Sequence, residues 1–257
     1  MAEIEKNDFQ RYLRQMMIEG WGDEGQRKLS ESVVFIAGAG GLASPAAMYL
    51  AAAGVGTLRI CDFDVIEMTN LNRQLLHNPG RIGQLKAFSA RLTLEKLNEL
   101  VKIEPIEEKI SDENVERLVG DANIIVDCMD NFPTRYSLMN AAAAKGIPLV
   151  HGSVWGMEGR LAFIHAPQTP CLKCIFPEAP PKEVFPVLGA TPGVIGCLQA
   201  MEVLKYLTGV GQTLKGRLLV WDGMNTEFRK FRLNSNPSCP LCGHGGEAMH
   251  RGSLGKD

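Results

Sequence analysis

The sequence predicts an α/β fold: a doubly wound, mostly parallel sheet, extended on one side by antiparallel strands. Three observations carry this. From residue 31 to 150, short β-branched apolar runs alternate with helical patterns, as βαβ units do. A glycine turn, Gly38-Ala39-Gly40-Gly41, stands directly between the first such run and an alanine-rich helix. After residue 151 the alternation stops, and strand-like runs surround one long helical pattern.

Residues 6–30 are polar, with Phe9, Leu13 and Met16 or Met17 at helical spacing. One amphipathic helix followed by a turn over 20–25 is expected there. Val33-Val34-Phe35-Ile36, within 32–37, is a short, continuously apolar run and reads as a buried parallel strand. A helix over 44–53 and a strand over 57–61, ending at Asp62, complete the first unit. A helix over 84–100, a strand over 101–106, a short helix over 112–118 and a strand over 123–127 follow. A helix over 133–145 and a strand over 148–151 close the parallel half. In the second half, strands over 159–165, 217–221 and 227–233 flank a helix over 194–207. The proline-rich stretch 176–192 has neither period and is expected to be a long functional loop. The organisation is one continuous domain, 1–257: a helical arm (1–30), a nucleotide-binding half (31–150), a second half (151–242) and a polar, glycine-rich tail (243–257) expected to fray.

Composition limits what such a fold does. Of 257 residues, 45% are hydrophobic and 22% charged, with a net charge of −2. That balance argues against a dedicated nucleic-acid surface, although it leaves room for a local basic cluster. No apolar run approaches the roughly 20 residues of a membrane span. The first residues are polar and acidic, so no signal peptide is read and a cytoplasmic location is expected. There are seven cysteines, an odd number that fits a secreted disulfide framework poorly.

Four segments carry chemistry. Gly38, Gly40 and Ala43 fit G-x-G-x-x-G/A, with Gly41 inside the motif: a tight turn, close backbone approach to phosphate, and a helix N-terminus facing the anion. Asp62 stands where a carboxylate accepts ribose hydroxyls. Taken alone, this motif favours NAD. Next come Asp62-Phe63-Asp64, Asn70-Leu71-Asn72-Arg73-Gln74 and Lys86. A dinucleotide needs no cations here, whereas a triphosphate does, and Arg73 with Lys86 would bracket its β- and γ-phosphates. A solvated loop and a helix-surface lysine remain the plainer reading. Third, Asp127-Cys128-Met129-Asp130-Asn131 stands at the carboxyl end of a buried strand; Asp130 suits Mg²⁺, Asp130-Asn131 also suits the N-cap of the helix beginning near Pro133, and both roles can coexist. Fourth, Cys171 with Cys174, and Cys239 with Cys242, form two C-x-x-C pairs, enough for a closed zinc site. A redox pair is disfavoured because neither opens a thioredoxin-like helix. His244 is a spare ligand. The remaining Cys61, Cys128 and Cys197 read as core thiols. Arg14, in Arg11-Tyr12-Leu13-Arg14-Gln15, reads locally as part of a charged helix face.

In this order, RYLRQ, GAGGLASP, DFD, NLNRQ, Lys86, DCMDN, CLKCIFPE, GVIGCLQAMEVLKYL and CPLC resemble the ThiF/MoeB/HesA family, bacterial relatives of ubiquitin-activating enzymes. The resemblance spans residues 8–243. It implies a Rossmann-like ATP-binding variant that adenylates the C-terminal Gly-Gly carboxylate of a ubiquitin-like sulfur carrier of the MoaD or ThiS type, a separate sulfur donor acting afterwards. By position it implies Gly41 near the α-phosphate, Asp62 on ribose, Asn70, Arg73 and Lys86 on phosphates, and Asp130 on Mg²⁺. Asp64, Asn72, Gln74 and Asn131 complete the expected nucleotide set. Arg14 matches an arginine that reaches the partner subunit's ATP, which implies a homodimer, and the four paired cysteines match zinc ligands. One departure stands out. Members that form a covalent link carry a reactive cysteine in the crossover loop, and residues 175–196 contain none; Thr191 lies near its expected place. Adenylation without a thioester or persulfide step is the expectation. An NAD-dependent oxidoreductase and the tRNA-modifying dehydratase branch of the superfamily are the alternatives.

Overall fold

The computed structural model describes residues 8–178 and 186–243. Part of the expected crossover loop, and the tail with His244, therefore lie outside the described residues. Eight strands form one sheet in the order β3-β2-β1-β4-β5-β6-β7-β8. β1 (Val33–Ala37), β2 (Thr57–Cys61), β3 (Lys102–Ile106), β4 (Ile124–Asp127) and β5 (Leu149–Trp155) are mutually parallel. β6 (Glu158–Ile164), β7 (Arg217–Asp222) and β8 (Glu227–Arg232) add antiparallel strands. The predicted doubly wound sheet with an antiparallel extension is therefore the observed one.

Strand β1 shows why the middle of the sheet reads as unbroken apolar sequence. Val34 and Ile36 enter one core with α3 (Ala43–Ala53) and α8 (Ala190–Thr208). Phe35 and Ala37 enter a second core with α5 (Val115–Val119) and α6 (Phe132–Lys145). With both faces covered, no polar alternation is tolerated. α4 (Lys86–Leu97) shares the first face.

The N-terminal arm departs from expectation. It forms two helices, α1 (Asp8–Met16) and α2 (Gly22–Ser30), and the expected turn over 20–25 is mostly the start of α2. The chain breaks at Gly20, with φ +81°. Gly25 then packs its bare backbone on the Trp21 ring, where a Cβ would lie 3.1 Å from Cδ1. Acids at Asp23 and Glu24, and bases at Arg27 and Lys28, complement the helix dipole. Strand β5 runs four residues past its predicted end because β6 pairs with it from Leu149↔Ile164 to Trp155↔Glu158. A short helix, α7 (Leu172–Ile175), falls inside the first C-x-x-C pair and was not anticipated. α8 starts before the predicted 194: Thr191 and Pro192 lie in its first turn, where a proline N–H is not needed. No helix among the described residues is long and apolar enough to cross a membrane.

Helix α8 joins the two halves through close approach. A Cβ on Gly196 would overlap the Leu42 carbonyl oxygen and stand 2.5 Å from the Pro45 ring. Gly196→Ala is expected to cost about 1–3 kcal/mol, read as a lower urea midpoint at unchanged m-value; an unchanged midpoint would show that the α3–α8 contact yields freely.

Candidate nucleotide site and four-thiol centre

The parallel strands end together on one edge, and the loops that leave them there build the site. The glycine turn follows β1, with Gly38 at φ +94°. Its missing Cβ would stand 3.1 Å from the Cys128 carbonyl oxygen and 3.6 Å from Met129 Sδ, so the turn leans on the loop after β4. Among the described residues, no acceptor engages the N–H groups of Gly40, Gly41 or Leu42. These donors precede α3, whose N-terminus adds a positive field.

Asp62, at the end of β2, accepts the Ala39 N–H at 2.7 Å on Oδ2 and the Asp64 N–H at 2.8 Å on Oδ1. Burial raises its pKa, while Lys86 and those two N–H groups oppose the rise. Lys86 is not the helix-surface lysine of the plainer reading. It is buried at 7% exposure, and its Nζ lies 2.9 Å from Asp64 Oδ2. Asp64 thus pairs with the lysine in this structure.

Residues 70–74 cover the glycine turn. The Asn70 carboxamide oxygen accepts the Glu67 N–H at 3.0 Å and caps a single 3-10 turn. The Arg73 stem lies over Gly41, with Cγ 3.3 Å from where a Cβ would be, and Pro192 of α8 is equally close. Its Nη1 donates to the Thr69 carbonyl at 2.9 Å and to Asn72 Oδ1 at 2.8 Å. Gln74 is buried beside Gly40, and its Oε1 has no partner. A buried acceptor left unpaired costs about 1–3 kcal/mol, so a ligand with hydroxyl or amino donors, as a nucleotide has, fits here.

Asp130 is exposed at the carboxyl end of β4, 3.4 Å from Asn131 Nδ2. Asn131 caps α6, accepting the Thr134 N–H at 3.0 Å. The loop's shape comes from Asp127 of the DCMDN segment and from His151, Arg135 and Gln199, to which no role was assigned. Asp127, wholly buried, accepts the Met129 N–H at 3.0 Å and meets His151 Nδ1 at 2.7 Å. Arg135 donates to the Met129 carbonyl at 2.5 Å and lies 3.6 Å from Asp127. Burial lowers the His151 pKa despite Asp127, and with its Nε2 buried and unpartnered the ring donates from Nδ1 to the Asp127 carboxylate. Gln199 of α8 donates to the carbonyls of Asp127 and Val150 at 2.8 and 3.1 Å. Asp127 and Gln199 stand inside the DCMDN and GVIGCLQAMEVLKYL segments without a role assigned to them, and Arg135 and His151 belong to no motif; a polar residue inside an apolar strand was the signal for Asp127 and His151.

The structure therefore gathers Gly38, Gly40, Gly41, Asp62, Asp64, Asn70, Asn72, Arg73, Gln74, Lys86, Asp130 and Asn131 on one edge of the sheet. Arg14 stands apart. Its neighbour Gln15 donates to the Ala53 carbonyl, at the far end of α3 from the glycine turn. At 1.5 Å per residue that helix is about 16 Å long, beyond an arginine's reach within one chain. Thr191 is fully buried, and its hydroxyl donates to the Gly156 carbonyl at 2.9 Å, which anchors the β5–β6 turn.

The two C-x-x-C pairs meet. All four sulfurs lie within 4.8 Å of one another, with Cys171–Cys239 at 3.6 Å and Cys174–Cys242 at 3.4 Å. Four sulfurs about 2.3 Å from one tetrahedral ion would be roughly 3.8 Å apart. The backbone N–H groups of Cys171 and Asn236 point at Cys242 and Cys174 sulfurs, at 3.2 and 3.3 Å. Burial pushes the Cys171 and Cys174 thiols up. Burial also opposes ionisation of Cys239, but the Leu241 and Cys242 N–H groups and the thiols of Cys171 and Cys174 bring it down to about 7. The cluster can hold a metal. Of the other three thiols, Cys61 and Cys128 are core residues as expected, whereas Cys197 is only half-buried on α8 and is not.

A doubly wound sheet with unpartnered N–H groups at the switch between its halves, cations beside them and a four-thiol centre defines a nucleotide-binding α/β protein with a metal-capable cluster. The chain belongs to the ThiF family, whose model matches residues 12–241. It is 43% identical over 249 residues to the SAMP-activating enzyme E1 of Haloferax volcanii, covering 95% of this chain and 92% of that one. It is 40% identical to the sulfur carrier protein adenylyltransferase of Thermus thermophilus, covering 93% and 92%. It is 42% identical to the bovine (Bos taurus) adenylyltransferase and sulfurtransferase MOCS3, covering 94% of this chain but only 55% of that protein. Among solved structures, E. coli MccB with MccA-N7isoASN matches the fold at TM-score 0.81 and 21% identity, over 94% of this chain and 76% of that one.

Proposed function

We propose that this chain uses Mg-ATP to adenylate the C-terminal Gly-Gly carboxylate of a ubiquitin-like sulfur carrier of the MoaD or ThiS type. The observation that carries the proposal is the row of unpartnered N–H groups at Gly40, Gly41 and Leu42, roofed by Arg73 and flanked by Lys86. The names of the 40–43% identical relatives point the same way. A carrier carboxylate oxygen attacks the α-phosphorus, the bond from that phosphorus to the bridging oxygen breaks, and pyrophosphate leaves. Arg73 and Lys86 neutralise the charge that grows on the leaving group. Asp62 and Gln74 accept from the nucleoside. Asp130 and its neighbours would hold Mg²⁺, which would offset negative charge on the phosphates. Zn²⁺ would occupy the four cysteines in a structural role.

Two further readings belong to this proposal. No thioester or persulfide to the carrier forms. Thr191 is buried with its hydroxyl engaged, and burial raises the half-buried Cys197 thiol above its ordinary value. The chain also works as a homodimer in which Arg14 serves the partner's site. Leu13, Met17 and Ile18 of the arm and Tyr49 of α3 are large exposed apolar side chains, suited to self-association.

ATP–pyrophosphate exchange with a panel of carriers ending in Gly-Gly tests the main claim. Exchange is expected with one or more of them, and ATP, not NAD, is expected to raise the melting temperature. Exchange with none, or a shift with NAD alone, would refute it. Cys197→Ala is expected to keep full exchange; an ATP-dependent, thiol-sensitive carrier adduct lost in that variant would overturn the non-covalent reading.

A further inference from the structure

His77 has no place in the nucleotide set above, yet it is buried directly beneath the glycine turn. Its Nε2 lies 2.9 Å from the Ala39 carbonyl oxygen, and its Nδ1 lies 3.0 Å from Ser89 Oγ on α4. Arg81 Nη1 donates to the same Ser89 Oγ at 3.2 Å and to the Ser89 carbonyl at 2.8 Å. The proton directions follow. The Ala39 carbonyl can only accept, so Nε2 carries a proton; in the neutral ring Nδ1 is then the acceptor and Ser89 Oγ donates to it. A carbonyl offers no proton, so the reverse assignment would leave that contact empty.

We infer that His77 is a positioning residue that sets the direction of the phosphate-binding N–H groups by holding the Ala39 carbonyl. In a trans peptide the C=O of Ala39 and the N–H of Gly40 point in opposite directions. With the carbonyl drawn inward to His77, the Gly40 N–H faces away from the core, and it is unpartnered. Asp62 holds the other side of the same residue by accepting the Ala39 N–H. The two flanking peptide planes are thus both pinned before any ligand arrives. The role needs only the proton on Nε2; in a neutral ring Nδ1 then accepts from Ser89 Oγ. The groups that face it favour the neutral ring: burial, Lys86 and Arg81 lower its pKa and the Ala39 carbonyl opposes, leaving it at about 4.

This inference rests on the nucleotide reading of the site, and the test separates the two. In full-length protein with isotope-labelled histidine, the His77 ring is expected to be neutral and protonated on Nε2 from pH 5 to 7. A neutral ring that carries its proton on Nδ1 rather than Nε2 overturns the inference. ATP affinity is then measured by calorimetry without any carrier. His77→Leu is expected to weaken ATP about tenfold, and His77→Gln, which restores an N–H donor, is expected to recover most of it. Ser89→Ala, a milder change on α4, is expected to weaken ATP severalfold and bring the ring's titration nearer its ordinary range. Equal ATP affinity in all three folded variants overturns the inference while leaving the nucleotide reading intact. Failure of the unaltered protein to bind ATP overturns both.

Discussion

Replacing Asp130 with alanine is expected to lower ATP–pyrophosphate exchange about a thousandfold or more while metal content and melting temperature stay at their original values. The two halves of that expectation have separate physical sources. The carboxylate is exposed, and its neighbour Asn131, at 3.4 Å, already caps α6 through its own oxygen. The loop keeps its shape through Asp127 on the Met129 N–H and Arg135 on the Met129 carbonyl, and neither contact involves Asp130. Removing the carboxylate therefore removes charge from the site without opening the loop. Exchange at the original rate in Asp130→Ala would refute its role. The same variant tests the shared site. Arg14→Ala is expected to be impaired as well, and mixing the two variants, with time to exchange subunits, is expected to restore activity. A mixed dimer has one site in which both residues are intact. No recovery on mixing would count against Arg14 acting across subunits.

Removing Cys239 and Cys242 together as serines is expected to abolish bound zinc and to lower the melting temperature by more than 10 °C. Four-thiolate zinc sites contribute about 10–16 kcal/mol in small domains, and even a third of that shifts a chain of this size by roughly 10 °C or more. The centre is also built into the core. Cys171 and Leu172 have no exposure and pack with Leu138, Met139 and Ile164 beneath α6. Without an ion, four sulfurs within 4.8 Å of one another would have no cation to hold them together. One zinc per chain in the original protein, and none in the variant, is the expected metal analysis. Two disulfides and no metal would replace this account with a redox one. The charge on the cluster also has a pH direction. Burial holds the Cys171 and Cys174 thiols up, so binding an ion must displace protons from them, and metal affinity is expected to fall as pH is lowered.

The buried strands and the glycine turn were legible because their causes are local. A residue between two covered faces must be apolar, and a turn at φ +94° must be glycine, so Val34 to Ala37 and Gly38 could be read directly. The C-x-x-C pairs were legible for the same reason: each brings its own two sulfurs together. What was not legible was decided by neighbours distant in sequence. Cys197 was expected in the core because its stretch is apolar, but α8 turns that side of the helix partly outward. Lys86 looked like a surface lysine until Asp64 and the walls of the site enclosed it.

By itself the sequence determined the α/β class, the nucleotide turn, the paired thiols and the absence of a cysteine from residues 175–196, all of which are statements about residue type at short spacing. Only the tertiary structure decided that the two thiol pairs meet, that Arg14 lies too far from its own chain's glycine turn to serve it, and that His77, Asp127 and Arg135 support the loops that carry the site. The reason is the range of the forces involved. Backbone sterics and strand burial act within a few residues, whereas the direction of an N–H or a carboxylate is set by hydrogen-bond partners that the fold brings in from elsewhere in the chain.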